Sequence, residues 1–124
     1  MINKIIHFSD LHIKLYKDHK QYQDILYRCF KEWAELEPDR IVFTGDLVHS
    51  KNQMTPELIN MVTWVLSQCS VICPTIILIG NHDFLENNLD RVDAISPIIN
   101  TMDNPNIRYL KTSGVEEDEN INWI

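Results

Sequence analysis

Three short motifs in this chain could do chemistry together: Asp10-Leu11-His12, Gly45-Asp46-Leu47-Val48-His49 and Gly80-Asn81-His82-Asp83. Their carboxylates, imidazoles and amide oxygen suit divalent ions of the manganese, iron or zinc type better than calcium. Each motif follows a short apolar run. If those runs are parallel strands, an α/β sheet gathers their carboxyl ends along one edge and brings the motifs together. Two divalent ions held there would activate water against a phosphate ester. Asp-x-His alone is common, and Gly-Asp after a strand is often only a turn. Three such motifs at consecutive strand ends point to one metal site.

The motifs divide the work by residue type. Asp10 and His12 stand two residues apart, so one loop can turn both toward one ion. Asp46 follows a glycine that lets the backbone turn sharply. As the middle carboxylate it is expected to bridge two ions about 3.5–4 Å apart. Asn81 adds a neutral oxygen ligand. His82 is expected to be catalytic, hydrogen-bonding the phosphate or protonating the leaving oxygen. Asp83 is expected to orient the His82 imidazole. His7 alternates with the apolar residues of its run and reads as structural, and His19 reads as a surface residue.

The elements that must position these residues follow from periodicity. Lys4 to Phe8 reads as a buried parallel strand. Tyr22, Ile25, Leu26, Cys29, Phe30 and Trp33 recur on one face of a helix, which Glu37-Pro38-Asp39 ends. Ile41 to Thr44 is the second strand. Thr55 as N-cap and Pro56 at the first helical position open a second helix, with Leu58, Val62, Val65, Leu66 and Cys69 as its core face. Ile59, Met61 and Trp64 make that helix apolar on a further face, either sandwiched in the fold or set against another subunit. Thr75 to Ile79 is the third strand. Leu89, Val92 and Ile95 suggest a short helix that Pro97 ends or kinks. Ile107 to Leu110 and Ile121 to Ile124 read as strands, with Glu116 to Glu119 as a solvated turn between them. The expected class is α/β, a mostly parallel sheet with flanking helices.

Bulk properties narrow the function. A chain of 124 residues is one domain or part of one, and 44% hydrophobic residues can bury a core. No apolar run approaches the roughly 18 residues of a membrane span. The N-terminal apolar stretch is too short for a signal peptide, so a cytoplasmic chain with no membrane partner is expected. Cys29, Cys69 and Cys73 fall within apolar segments and read as buried thiols rather than zinc ligands. The net charge of −7 argues against holding DNA by a basic surface alone. Two bound divalent cations would invert the local field where a phosphate docks.

Taken together, Asp10-x-His12, Gly45-Asp46-x-x-His49 and Gly80-Asn81-His82-Asp83 resemble the N-terminal motif series of the calcineurin-like metallophosphoesterases, from residue 5 to about residue 85. The resemblance implies an αββα sandwich, with residues 1–124 as its N-terminal half. A histidine at position 49, followed by Ser50-Lys51 and a Pro-Glu-Leu helix, is similar to the SbcD-like DNA-repair nucleases and their viral and phage relatives, which act in the host cell. That likeness implies a dinuclear, manganese-dependent exo- or endonuclease of repair or recombination. It gives His49 a part in catalysis on DNA, the alternative being a hydrogen-bonding place beside the metals. It also implies a homodimer built through helices near the site, and an SbcC-type ATPase partner that presents DNA ends.

The family series continues with a lone histidine and a Gly-His-x-His motif. Neither is present, since the five histidines are His7, His12, His19, His49 and His82. One ion would keep Asp10, His12 and Asp46, and the other only Asp46 and Asn81. The strand at Ile121 to Ile124 stops without a turn signal, so an interrupted domain with one sheet face uncovered is expected. Three readings stay open: a portion of such a nuclease, weak or inactive alone; a small-molecule phosphodiesterase or phosphatase; and a non-catalytic fragment that keeps the fold.

Overall fold

The computed structural model describes residues 1–83 and 90–124. The elements run β1 (Ile5–Phe8), α1 (His19–Leu36), β2 (Arg40–Phe43), α2 (Pro56–Ile72), β3 (Thr75–Leu78), α3 (Ser96–Met102), β4 (Ile107–Leu110), β5 (Glu116–Asp118) and β6 (Ile121–Trp123). β1 to β4 form one parallel sheet in the order β1-β2-β3-β4. Right-handed crossovers that all step the same way leave every connecting helix on one face. The core agrees: Ile6, Phe8, Ile41, Phe43, Ile77, Ile107 and Tyr109 from that face pack with α1, α2 and α3.

Local signals explain the helices. Glu37 ends α1 in the left-handed region at φ 52°, one residue before Pro38. On α1, Leu26 and Phe30 are buried, while Tyr22 and Trp33 pack at the core's margin. Ile25 departs from the expected face at 53% exposed, because it lies about 100° around the helix from Leu26. Thr55 caps α2 as expected, accepting from Leu58 N at 3.2 Å. All five expected core residues of α2 are buried, and so is Met61. Trp64 meets Phe30 edge-on at 5.5 Å. The further apolar face of α2 is therefore used largely within the chain, with Ile59 left exposed.

Three expectations are corrected. Pro97 lies in the first turn of α3 instead of ending a helix, a place where its missing N–H costs nothing. Asp93 prepares that start, accepting from Ile95 N at 3.0 Å and Ser96 N at 2.8 Å. Leu89, offered for an earlier helix, lies outside the described residues. Glu116 to Asp118 is a strand of a hairpin with β6 rather than a solvated turn. Asp118 is buried there against Arg40, whose Nε and Nη2 donate to it at 2.8 and 2.7 Å. That guanidinium holds the Asp118 carboxyl down at about 2. Finally, β1 is an edge strand covered on one face only, with Ile5 and His7 exposed on the other.

The second sheet face is only partly covered. The hairpin lies over it, and an open groove of about 670 Å³ runs between Val42, Ile76 and Leu78 on the sheet and Trp123. Cys69 and Cys73 are buried free thiols, pushed up by burial to about 12 and about 11. Among the described residues, no helix is long and apolar enough to cross a membrane.

Candidate metal centre

All three motifs leave the sheet at the same edge, immediately after β1, β2 and β3. The first two loops are zipped together by their backbones. Asp10 N donates to Gly45 O, His12 N to Asp46 O and Ile13 N to Leu47 O, each at 3.0 Å, and His49 N returns to Ile13 O at 2.9 Å. The loops turn tightly: Asp10, His12 and Asp46 all sit in the left-handed region, at φ 57°, 46° and 58°. Such conformations cost free energy in non-glycine residues and persist only where the surroundings impose them. Tyr22 on α1 contributes to that restraint, its hydroxyl donating to Leu11 O at 2.9 Å.

The third loop docks by close approach. A Cβ on Gly80 would lie 2.1 Å from Asp46 N and 2.3 Å from Asp46 Oδ1. Only glycine lets β3 deliver its motif against Asp46. Asp83 then clasps the two loops. It is buried, and its carboxylate accepts from Asp46 N, Leu47 N and Gly80 N at 3.0 Å and from Val48 N at 3.2 Å. Burial pushes the carboxyl above the usual range, while these N–H groups pull the other way. The contact expected between Asp83 and the His82 imidazole is thus replaced by backbone contacts, because both oxygens are engaged by the loop that carries Asp46. The His82 ring instead presents Nδ1 to the His49 carbonyl at 3.2 Å. A carbonyl only accepts, so Nδ1 carries the proton and Nε2 is left free for other chemistry.

These restraints bring His12, Asp46 and His82 together, with ligand atoms all within 4.8 Å of one another. Asp10 joins them: its Oδ1 lies 3.5 Å from His12 Nε2, and Asp46 Oδ2 lies 3.8 Å from the same nitrogen. Ser9 donates to the Asp10 carboxyl and lowers its pKa. The Asn81 amide abuts Asp46. Turned nitrogen-inward it donates to both carboxylate oxygens, at 3.0 and 3.1 Å. Turned oxygen-inward it sets a third oxygen beside them, an arrangement a cation would stabilise. His12 Nδ1 is buried and lacks a hydrogen-bond partner among the described residues. The donor set of carboxylate, imidazole and amide therefore fits a divalent ion.

His49 stands at the rim. It is exposed, and its ring lies 6.1 Å from both the His12 and the His82 rings. His82 was expected to act on substrate, yet its ring also sits at ligand distance. His7 faces away on the other sheet face, bonded to Thr44 Oγ1 at 3.1 Å. Two contributors escape a motif search: the clasp of Asp83, and Lys51, whose Nζ donates to Asn81 O at 3.2 Å. The only local hint of Lys51 was its place two residues after His49.

Comparison with known proteins agrees with this geometry. Residues 3–121 match the family model of the calcineurin-like phosphoesterases. An uncharacterized protein of Acanthamoeba polyphaga mimivirus is 38% identical over 124 residues, covering 97% of this chain and 9% of its own length. A protein of Invertebrate iridescent virus 6, provisionally named a phosphoesterase, is 31% identical over 85 residues, covering 68% of this chain and 29% of its own length. The chain thus spans less than a third of either relative. Members of the matched family bind divalent metals, and His12, Asp46 and His82 form a cluster that could hold one. With nearly its whole length matched and the three motifs gathered on one sheet edge, the chain belongs to the calcineurin-like phosphoesterase family.

Proposed function

We propose that this chain carries one side of a dinuclear-metal phosphodiesterase acting on DNA, with manganese its preferred ion. The observation that supports this most is the convergence of His12, Asp46 and His82, ligand atoms within 4.8 Å, at the end of three adjacent strands. Asp10, His12 and Asp46 would hold one ion, and Asp46 with Asn81 a second. When bound, the ions supply Lewis acidity toward a phosphate and water of lowered pKa.

The chain's own residues do the rest. His82 N donates to Asp46 Oδ1 at 2.8 Å, which restrains the carboxylate that would be shared between the two ions. His82, with its Nδ1–H tied to His49 O, would reach the phosphate or the leaving oxygen through Nε2, donating there as the imidazolium, which carries a proton on each nitrogen. His49 at the rim assists on the substrate side, and a histidine there favours DNA over a small phosphate ester. A homodimer and an ATPase partner presenting DNA ends belong to the same proposal, and the partner would offset the net charge of −7.

The test is a calorimetric manganese titration of the chain beside Asp46→Asn, followed by turnover on linear DNA and on a cyclic nucleotide. Manganese uptake abolished in Asp46→Asn, with DNA the preferred substrate, supports the proposal. Preference for the cyclic nucleotide makes the chain a small-molecule phosphodiesterase. No uptake by the unaltered chain makes it a non-catalytic module.

A further inference from the structure

Charge is unevenly spread around the metal edge. Residues 11–17 and 47–56 hold Lys14, Lys17 and Lys51 and none of the eighteen carboxylates of this acidic chain. The fold makes these two segments one surface. Ile13 bridges Val48, His49 N donates to Ile13 O at 2.9 Å, and the Thr55 hydroxyl donates to Leu15 O. Lys51 reaches the backbone of Asn81, so its ammonium lies at the mouth of the cluster. Lys14 meets its nearest carboxylate, Asp18, at a loose 3.9 Å. Between Lys14 and Lys17 stands Tyr16, 71% exposed.

We propose that this surface is a docking strip for single-stranded DNA leading into the metal edge. Lys14, Lys17 and Lys51 would neutralise successive phosphates, and the Tyr16 ring would stack on an unpaired base. Exposed aromatic faces bind bases whose own faces are free, a feature of single strands and frayed ends, while lysines track the backbone without reading sequence. The inference rests on the DNA reading of the metal site and specifies which form of DNA enters it.

The probe is fluorescence anisotropy with a labelled oligothymidylate of about 12 nucleotides, in chelator so that no cleavage intervenes. Lys14→Glu/Lys17→Glu is expected to weaken binding about tenfold or more and to flatten the log–log salt dependence by about 1.4. Tyr16→Ala is expected to cost about tenfold on the single strand and little on a duplex. Arg28→Glu/Lys31→Glu on exposed α1, an equal charge change, should stay within about twofold. Equal losses in the strip and α1 variants, an indifferent Tyr16→Ala, or duplex bound as tightly as single strand would each overturn the strip. Cleavage measured separately with manganese distinguishes the two ideas. DNA cut equally well by the strip variants overturns the strip alone. Strip-dependent binding with no DNA hydrolysis overturns the nuclease and supports the strip.

Discussion

Asp83→Asn tests how the metal edge is held together. In the folded chain, Asp83 Oδ1 accepts from Leu47 N and Val48 N, and Oδ2 from Asp46 N and Gly80 N. The amide keeps one oxygen, so one pair of donors stays satisfied and the other pair faces an NH2 group. The site is buried, with Asp83 1% exposed, so water cannot replace the lost acceptor. Each stranded N–H costs about 1–3 kcal/mol, and the surviving bonds lose their charge assistance. A loss of about 3–5 kcal/mol is expected, a large part of the stability of an ordinary domain. Urea denaturation should show a lower midpoint with an unchanged slope. Because each pair holds an N–H of the loop that presents Asp46, either orientation of the amide loosens that ligand, and manganese affinity by calorimetry should fall about tenfold or more, although Asp83 is no ligand. An unchanged midpoint and unchanged affinity would refute the clasp. A variant as stable as the parent that binds manganese normally but turns over slowly would return Asp83 to orienting His82.

Further outcomes are expected. His82→Ala should abolish turnover while retaining manganese if the imidazole acts only on substrate; loss of the ion in calorimetry would make it a ligand. Gly80→Ala should displace Asp46, since the new Cβ would sit 2.1 Å from its nitrogen. A cost of about 1–3 kcal/mol in urea melts, with weakened manganese binding, is expected; a neutral effect would mean the loops are not tightly apposed. Asp118 carries a pH dependence, because its carboxyl is held at about 2 against the ordinary 3.8 of an aspartate. A depressed folded pKa contributes stability that is present above roughly pH 4 and lost as pH falls toward roughly 2. Asp118→Asn should remove about 2 kcal/mol at neutral pH and flatten the acid limb of the melt, and an unaltered acid limb would place the dependence elsewhere.

Local chemistry was legible in the chain wherever a few neighbouring residues settle the outcome. Thr55-Pro56 set the start of α2, Glu37-Pro38 the end of α1, and the apolar runs before Asp10, Asp46 and Gly80 were strands, because caps, prolines and periodicity act within one turn or one strand. The ligand types were legible for the same reason, since a carboxylate or imidazole keeps its chemistry wherever it lies. Pairing across distance was not. Nothing near Asp118 names Arg40, 78 positions earlier, so four acids in a row looked like a solvated turn until the hairpin buried one against a guanidinium. Asp83 sat beside His82 in sequence, yet its oxygens went to backbone donors more than thirty residues away. Pro97 could end a helix or begin one, and the contact of Ser96 N with Asp93 Oδ1 just ahead of it belongs to a start. The motifs supplied the donors; the strand order β1-β2-β3-β4 brought them within reach of one ion, because only the folded sheet determines which strand ends are neighbours.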